Sequence, residues 1–127
     1  MPTLIYKLLW ENIKNQRNFF CIVKNLAKSG RDYWSLVEFE YIKNENGMVI
    51  SCIYRNKQVS QSVITNHIQP LYRKLFLIEQ ASGLESSKNF LVGFLEDVGY
   101  NYIDYLTKII SNDIKEHNET EGSWWHL

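Results

Sequence analysis

Few residues of this chain have the types and spacing that catalysis or metal binding requires. Three histidines could act as bases or metal ligands, namely His67, His117 and His126, but none has an H-x-x-x-H or Cys/His spacing and none accompanies a recognisable nucleophile. We interpret them as surface or capping histidines. The six glycines are scattered along the chain, so the sequence predicts no phosphate-binding loop.

Two acids on one predicted strand, Glu38 and Glu40, are followed by Lys43, a composition that metal-dependent nucleases use in their active sites. Alternate residues of a strand face opposite sides, so this lysine would point away from both carboxylates. The geometry therefore argues against a nuclease centre. We predict no catalytic residue, no metal site and no cofactor, and we expect that the protein is not an enzyme.

The C-terminal stretch EHNETEGSWWHL places two adjacent tryptophans behind a run of acids. Large apolar side chains at a terminus either pack on the protein's own core or are covered by another molecule, and a charge run is often a solvated helix face. Tryptophan is favoured at the centre of protein interfaces. We therefore predict a partner-binding surface that consists of Asp113, Glu116, Glu119, Glu121, Trp124 and Trp125. Glu38 and Glu40 form a second acidic surface that could serve the same partner.

The distribution of charge also favours a charged partner. The net charge is zero with a pI near 6.8, which argues against direct nucleic-acid binding, because phosphate binding needs an excess of Lys and Arg. Residues 1–33 hold six bases and two acids, a net charge of +4, whereas residues 90–127 hold seven acids and two bases, a net charge of −5. Such asymmetry indicates a basic partner for the acidic end.

The N-terminal third is predicted to be one long amphipathic helix from Thr3 to Lys28. Its apolar residues recur at steps of three and four, and only Gln16 interrupts the stripe. Gly30 would take the left-handed conformation that ends helices. The charged residues within this segment leave no continuous apolar run for a signal peptide or a membrane span, so we expect a cytoplasmic protein that does not enter membranes.

A β-hairpin is predicted over WSLVEFEYIKNENGMVISCIYR, centred on a two-residue type I′ turn at Asn46-Gly47. This register places four pairs of residues opposite each other. One face carries Phe39 with Tyr54 and Tyr41 with Cys52 and is expected to be core; the other, wetter face carries Glu38 with Arg55 and Glu40 with Ile53. Both cysteines, Cys21 and Cys52, are expected to be buried and reduced.

The remainder of the chain is predicted to be helical. After a polar connector at residues 57–67, Pro70 suits the first turn of a helix that carries Leu71, Leu75 and Ile78 inward and ends at Gly83. Residues 86–103 fit either a helix or a buried strand, and helix is favoured. A last helix follows, with Leu106, Ile109, Ile110 and Ile114 on its inner face. The fold class is therefore α+β, a single globular domain over residues 1–127 with a long N-terminal helix, a central antiparallel hairpin and C-terminal helices.

This layout, with FEYIKNENGMVISCIY at its centre and an acidic, aromatic C-terminus, resembles small immunity proteins of bacterial polymorphic-toxin systems, including contact-dependent growth inhibition. The resemblance implies a cytoplasmic protein that binds the toxin domain of a cognate effector, often a nuclease, and occludes its active site or substrate surface. A carboxylate-rich surface suits that role, because a nuclease presents a basic cleft for phosphates. Two alternatives remain open: a small enzyme whose site has no motif, and an RNA-binding or regulatory adaptor that uses the basic N-terminal segment.

Overall fold

The structure is a computed structural model that describes the backbone of residues 1–125 and the side chains of residues 1–115. A first helix is followed by three strands and then by a helical half. The elements are α1 (Thr3–Lys14), β1 (Phe19–Leu26), β2 (Asp32–Lys43), β3 (Val49–Gln58), α2 (Gln61–Val63), a π-helical turn (Ile64–Ile68), α3 (Gln69–Ser82), α4 (Leu84–Val98) and α5 (Tyr102–Trp125). The predicted α+β class is confirmed.

The predicted N-terminal helix is wrong in its second half, which forms β1. Helix α1 ends at Lys14, and Gln16, the residue that interrupts the apolar stripe, adopts a left-handed φ of 51°. The Gln16 amide donates to the Ile13 carbonyl and the Arg17 amide to the Asn12 carbonyl, the two hydrogen bonds of a Schellman helix end. Beyond it, FFCIVKNL is dense in aromatic and β-branched residues and pairs with β2 instead of extending the helix.

The three strands form one antiparallel sheet in the order β1-β2-β3. The predicted pairing of the central hairpin is confirmed, since Glu38 lies opposite Arg55, Phe39 opposite Tyr54, Glu40 opposite Ile53 and Tyr41 opposite Cys52. Strand β1 adds a further ladder on the other side of β2, in which Cys21 lies opposite Val37. A sheet of three strands therefore replaces the two-stranded hairpin that the sequence predicted.

The turn between β2 and β3 differs from the predicted two-residue type. The Gly47 amide donates to the Asn44 carbonyl, so Glu45 and Asn46 are the central residues and Gly47 follows them with a φ of 78°. The ladder shifts by one residue between Ile42 and Lys43. This β-bulge accommodates the longer loop. The β1–β2 turn repeats this arrangement. Its Gly30, with a φ of 85°, lies in a strand connection and not at a helix end as predicted.

The core forms where β1 meets the helices. Cys21 and Ile22 point to opposite faces of the sheet, yet both are fully buried, so β1 is covered on both sides. Fully buried side chains also come from α1, α3 and α5, namely Leu4, Ile5, Leu75 and Leu106. At its centre the Tyr72 hydroxyl donates to the Ile22 carbonyl at 2.7 Å and lies 2.6 Å from the Tyr102 hydroxyl.

The C-terminal helices follow the predictions with two corrections. Helix α3 begins at Gln69 with Pro70 in its first turn, and residues 84–98 form helix α4, which ends at Gly99 in a left-handed conformation. The predicted polar connector is shorter than expected, because residues 61–68 are already helical. Ile114, which was predicted to face inward, is 54% exposed on α5.

Candidate protein-binding surface

The outer part of the sheet carries a three-membered charge network, which we call the Glu38–Arg55–Glu40 network. Arg55 Nη1 donates to Glu38 Oε1 at 2.6 Å and to Glu40 Oε2 at 2.7 Å. The hydrogen bonds to Glu40 and then to Glu38 raise the pKa of the Arg55 guanidinium. Two carboxylates share one cation, so the network has a net charge of −1 and each carboxylate keeps one oxygen that is not bound by Arg55.

The opposite face of the same strands is aromatic, and its β3 side is open to solvent. The Phe39 and Tyr54 rings lie 5.1 Å apart at an interplanar angle of 53°, and Tyr54 is 55% exposed. Cys52 is also exposed. The prediction that this face is core, with Cys52 a buried thiol, is therefore wrong for the β3 side. The helices cover β1, and β3 lies beyond them, with none of its side chains buried.

Strand β3 is also an edge of the sheet, and along its ten residues one row of backbone groups has no neighbouring strand within residues 1–125. Large apolar side chains accompany this edge: Ile50 is 64% exposed, Ile53 39% and the adjoining Met48 63%. Proteins usually protect such edges by charge, bulges or coverage, and an uncovered edge with apolar side chains can pair with another chain. We call β3 and the part of β2 that pairs with it the β2–β3 ribbon.

The structure gives Asp113, a predicted partner-binding residue, contacts within the chain. Its side chain is half-buried and accepts hydrogen bonds from the Ser60 hydroxyl, at 2.8 Å, and from the Ser62 hydroxyl. These bonds connect α5 to the start of α2. The other predicted residues of the tail lie outside the described side chains, although the α5 backbone continues through both tryptophans: Glu116, Glu119, Glu121, Trp124 and Trp125.

One candidate interface residue was missed by the sequence reasoning. Trp10 on α1 is 64% exposed, and Tyr6, one turn earlier, is 38% exposed. Exposed tryptophan is uncommon outside binding surfaces. At a binding surface it often supplies a large share of the affinity. The signal was its position directly after Leu9, which places it beside the buried stripe of the helix and not within it.

The buried nucleophiles are placed for packing. Burial raises the pKa of the Cys21 thiol to about 12, which disfavours the reactive thiolate. Burial also raises the pKa values of Tyr72 and Tyr102, whose hydroxyls bind each other. Among the residues whose positions are described, no three His, Cys, Asp or Glu side chains are grouped so that they could hold a metal ion.

Comparison of the chain with protein-family models, with curated proteins and with solved structures finds no match. Over the described part of the chain, no helix combines the length and the apolar character needed to cross a membrane.

Proposed function

We propose that this protein acts by binding another protein, as an immunity protein that neutralises a cognate toxin domain in the cytosol without catalysis of its own. The observation that carries the proposal is the β2–β3 ribbon, an uncovered sheet edge flanked by exposed apolar and aromatic side chains and by the Glu38–Arg55–Glu40 network. The identity of the partner as a toxin rests on the layout resemblance of the sequence.

The ribbon offers a partner three kinds of contact. Its free edge can accept backbone hydrogen bonds from an added strand, which is a general mode of peptide recognition. Tyr54 and Ile53 provide apolar area at the two faces of β3, and exposed aromatics of this kind commonly act as anchors. Glu38 and Glu40 attract a basic surface such as the substrate cleft of a nuclease.

The acidic tail adds to this attraction in the proposal. Residues 90–127 have a net charge of −5, which raises the rate of encounter with a basic toxin domain and suppresses binding to acidic proteins. The two C-terminal tryptophans, Trp124 and Trp125, would act at short range as apolar anchors. The ribbon and the tail are separately testable, because residues 119–127 belong to neither β2 nor β3.

The test is co-expression with the toxin domain encoded by the neighbouring gene. Co-purification of the two chains and rescue of cell growth are the expected results. Within the complex, Tyr54→Ala should weaken binding by about 1–2 kcal/mol or more, seen mainly as faster dissociation. Tyr100→Ala is the matched control, since Tyr100 is 40% exposed in the connection between α4 and α5.

Charge variants test the electrostatic part. Replacing both Glu38 and Glu40 by Gln should slow association, with an effect that shrinks as salt is added, whereas Glu85→Gln on α4, outside the acidic residues 90–127, should change it little. Deletion of residues 119–127 should also slow association if the tail takes part. Turnover of nucleic acid or a metabolite by the purified protein, abolished by a point mutation, would contradict the proposal.

A further inference from the structure

A cleft of about 590 Å³ lies between the sheet and α3, on the side where β1 and β2 meet their connecting turn. One wall is formed by Lys24 and Trp34, which are direct cross-strand partners. The other wall is a stripe along the π-helical turn and α3, whose side chains recur at helical spacing: Thr65, Gln69, Arg73 and Phe76. This volume lies within the range of about 300–1,000 Å³ that is typical of small-molecule sites.

The charges of the cleft favour an anion. Two of its lining side chains are cationic, Lys24 and Arg73, and none is acidic. Lys24 Nζ is shared with Asp32 at 3.2 Å, whereas Arg73 has no ion pair with any carboxylate among the described residues. An exposed guanidinium presents paired N–H donors that fit a phosphate or carboxylate group in a bidentate manner.

The apolar part of the cleft favours a planar ring. The Trp34 ring lies beside Tyr72, with centroids 5.9 Å apart, and Lys24 Nζ lies 5.8 Å from the Trp34 centroid. Phe76, 40% exposed, closes the far end of the stripe. Aromatic side chains bind flat rings by stacking or edge contacts, and a cation beside them strengthens the attraction for an electron-rich ring.

Polar side chains line the start of the same stripe, before Arg73 and Phe76. Gln69 and Thr65 can donate to and accept from the edge of a heterocycle or a sugar hydroxyl. The Gln69 amide donates to the Ile64 carbonyl, which is the i to i+5 hydrogen bond of a π-helix. The π-helical turn therefore determines the direction in which the Thr65 and Gln69 side chains face. π-Helical turns inside helices are frequent at functional sites.

We propose that this cleft binds a nucleoside monophosphate, with Arg73 and Lys24 on the phosphate, Trp34 and Phe76 on the base and Gln69 on a polar edge. The site is distinct from the Glu38–Arg55–Glu40 network, because Trp34 and Glu38 are four residues apart along β2, or about 13 Å at the rise of a strand. Trp34 directly precedes the part of β2 that pairs with β3. The test of this cleft uses no toxin domain, so it does not depend on the proposed function.

The experiment measures binding of adenosine monophosphate to the full chain by calorimetry and by the shift in melting temperature, which rises when a ligand binds only the folded state. Adenosine and inorganic phosphate, tested alone, separate the contributions of the ring and of the anion. The variants are Arg73→Ala and Gln69→Ala, both at exposed positions, and the matched control is Arg31→Ala in the β1–β2 turn, outside the cleft.

Saturable binding of the monophosphate that Arg73→Ala weakens about tenfold, and Arg31→Ala leaves unchanged, is the expected result. Adenosine and phosphate should each bind much more weakly than the whole nucleotide. No saturable binding of the nucleotide would overturn the proposal. Equal binding of phosphate and nucleotide would overturn the assignment of the ring, and tighter binding of a single-stranded oligoadenylate through the same residues would replace the nucleotide by a nucleic acid.

Discussion

Glu38 and Arg55 lie directly opposite each other in the β2–β3 ladder, and Arg55 Nη1 also reaches Glu40 diagonally, two residues further along β2. The cation therefore separates two carboxylates on one strand face. Removing it leaves two like charges close together on a partly exposed surface, where their repulsion is reduced by solvent.

Arg55→Ala should consequently lower the melting temperature by a few degrees or less at low salt. The loss should shrink further in about 1 M NaCl, where the screening length is about 3 Å. The Arg55→Ala variant that also carries Glu38→Gln should recover part of the loss, since one of the two unpaired carboxylates is then neutral. A loss that is independent of both salt and Glu38 would show that Arg55 acts through packing of its aliphatic part.

Gln16→Gly should stabilise the protein by about 1 kcal/mol. Gln16 holds a φ of 51° at the end of α1, in the left-handed region that glycine adopts without steric cost. Its side chain is exposed, so little packing is lost. Urea unfolding measures the change, with Gln80→Gly, at an exposed position within α3, as the destabilising control. A destabilising effect at both positions would mean that the φ of residue 16 differs in solution.

The β2–β3 hairpin and the segment after Gln16 show what the sequence could and could not predict. The β2–β3 pairing was predictable because two β-rich runs flank Asn46-Gly47. The turn type was not predictable, and the bulge between Ile42 and Lys43 keeps the predicted pairs opposite each other although Glu45 and Asn46 are the central residues of the turn. The change from helix to strand after Gln16 was not predictable. The apolar residues from Phe19 to Leu26 fit both the helical period and the strand period. The choice depends on pairing with β2, a long-range contact that a local pattern does not contain.

The candidate surface was predictable to a similar extent. The opposition of Glu38 and Arg55 followed from the register, but the exposure of Tyr54 and Cys52 depends on where the helices end over the sheet. The cleft at Trp34 and Arg73 unites residues that are far apart in the chain, and no spacing rule connects a strand residue to a particular turn of α3. Periodicity predicts which face of an element is buried, and not which neighbour buries it.

The two cysteines should differ sharply in reactivity. Cys52 is exposed and should react with a thiol reagent in the folded protein, whereas Cys21 is fully buried and should react only on unfolding. Counting labelled thiols by mass before and after addition of urea measures this. Rapid labelling of Cys21 in the folded state, at a rate independent of stability, would contradict the burial of β1.

The raised pKa of Cys21 also predicts the alkaline stability. The unfolded thiol ionises near its ordinary value of 9, and the folded thiol near 12. Between these values the folded state binds more protons, so stability is full below about pH 9 and falls as the pH rises, by about 1.4 kcal/mol per pH unit. Cys21→Ala should remove the contribution of this thiol at the cost of a small cavity, whereas the raised pKa values of Tyr72 and Tyr102 keep their own contribution above about pH 10.

The hydroxyl pair Tyr72 and Tyr102 should behave as one unit. Tyr72→Phe removes the donor to the Ile22 carbonyl and one member of the 2.6 Å contact, and should cost about 1–3 kcal/mol, since buried polar groups are left unsatisfied. Tyr102→Phe should cost less, about 1 kcal/mol, because the Tyr72 bond to Ile22 remains. The double variant should lose less than the sum of the two single losses. Additive losses in urea unfolding would show that the two hydroxyls are not coupled.

Asp113 should prove to be a residue that stabilises the fold, whatever it contributes to a partner. The Ser60 hydroxyl donates to its carboxylate and accepts from the Val63 amide at 3.4 Å, so Asp113 orients the capping serine at the start of α2. Asp113→Ala should therefore lower the free energy of unfolding by about 1–2 kcal/mol, the usual cost of a lost cap and charged hydrogen bond.

Three companion variants separate this role from partner binding. Ser60→Ala leaves the Ser62 hydroxyl bonded to the Asp113 carboxylate. The Ser60→Ala and Asp113→Ala double variant should lose less than the sum of the two single losses, since both changes remove the Ser60–Asp113 contact. Asp97→Ala, an exposed acid near the end of α4, is the control for charge alone. If Asp113→Ala left stability unchanged but slowed association with the toxin domain, the carboxylate would belong to the binding surface and the serine contacts would contribute nothing measurable to the fold.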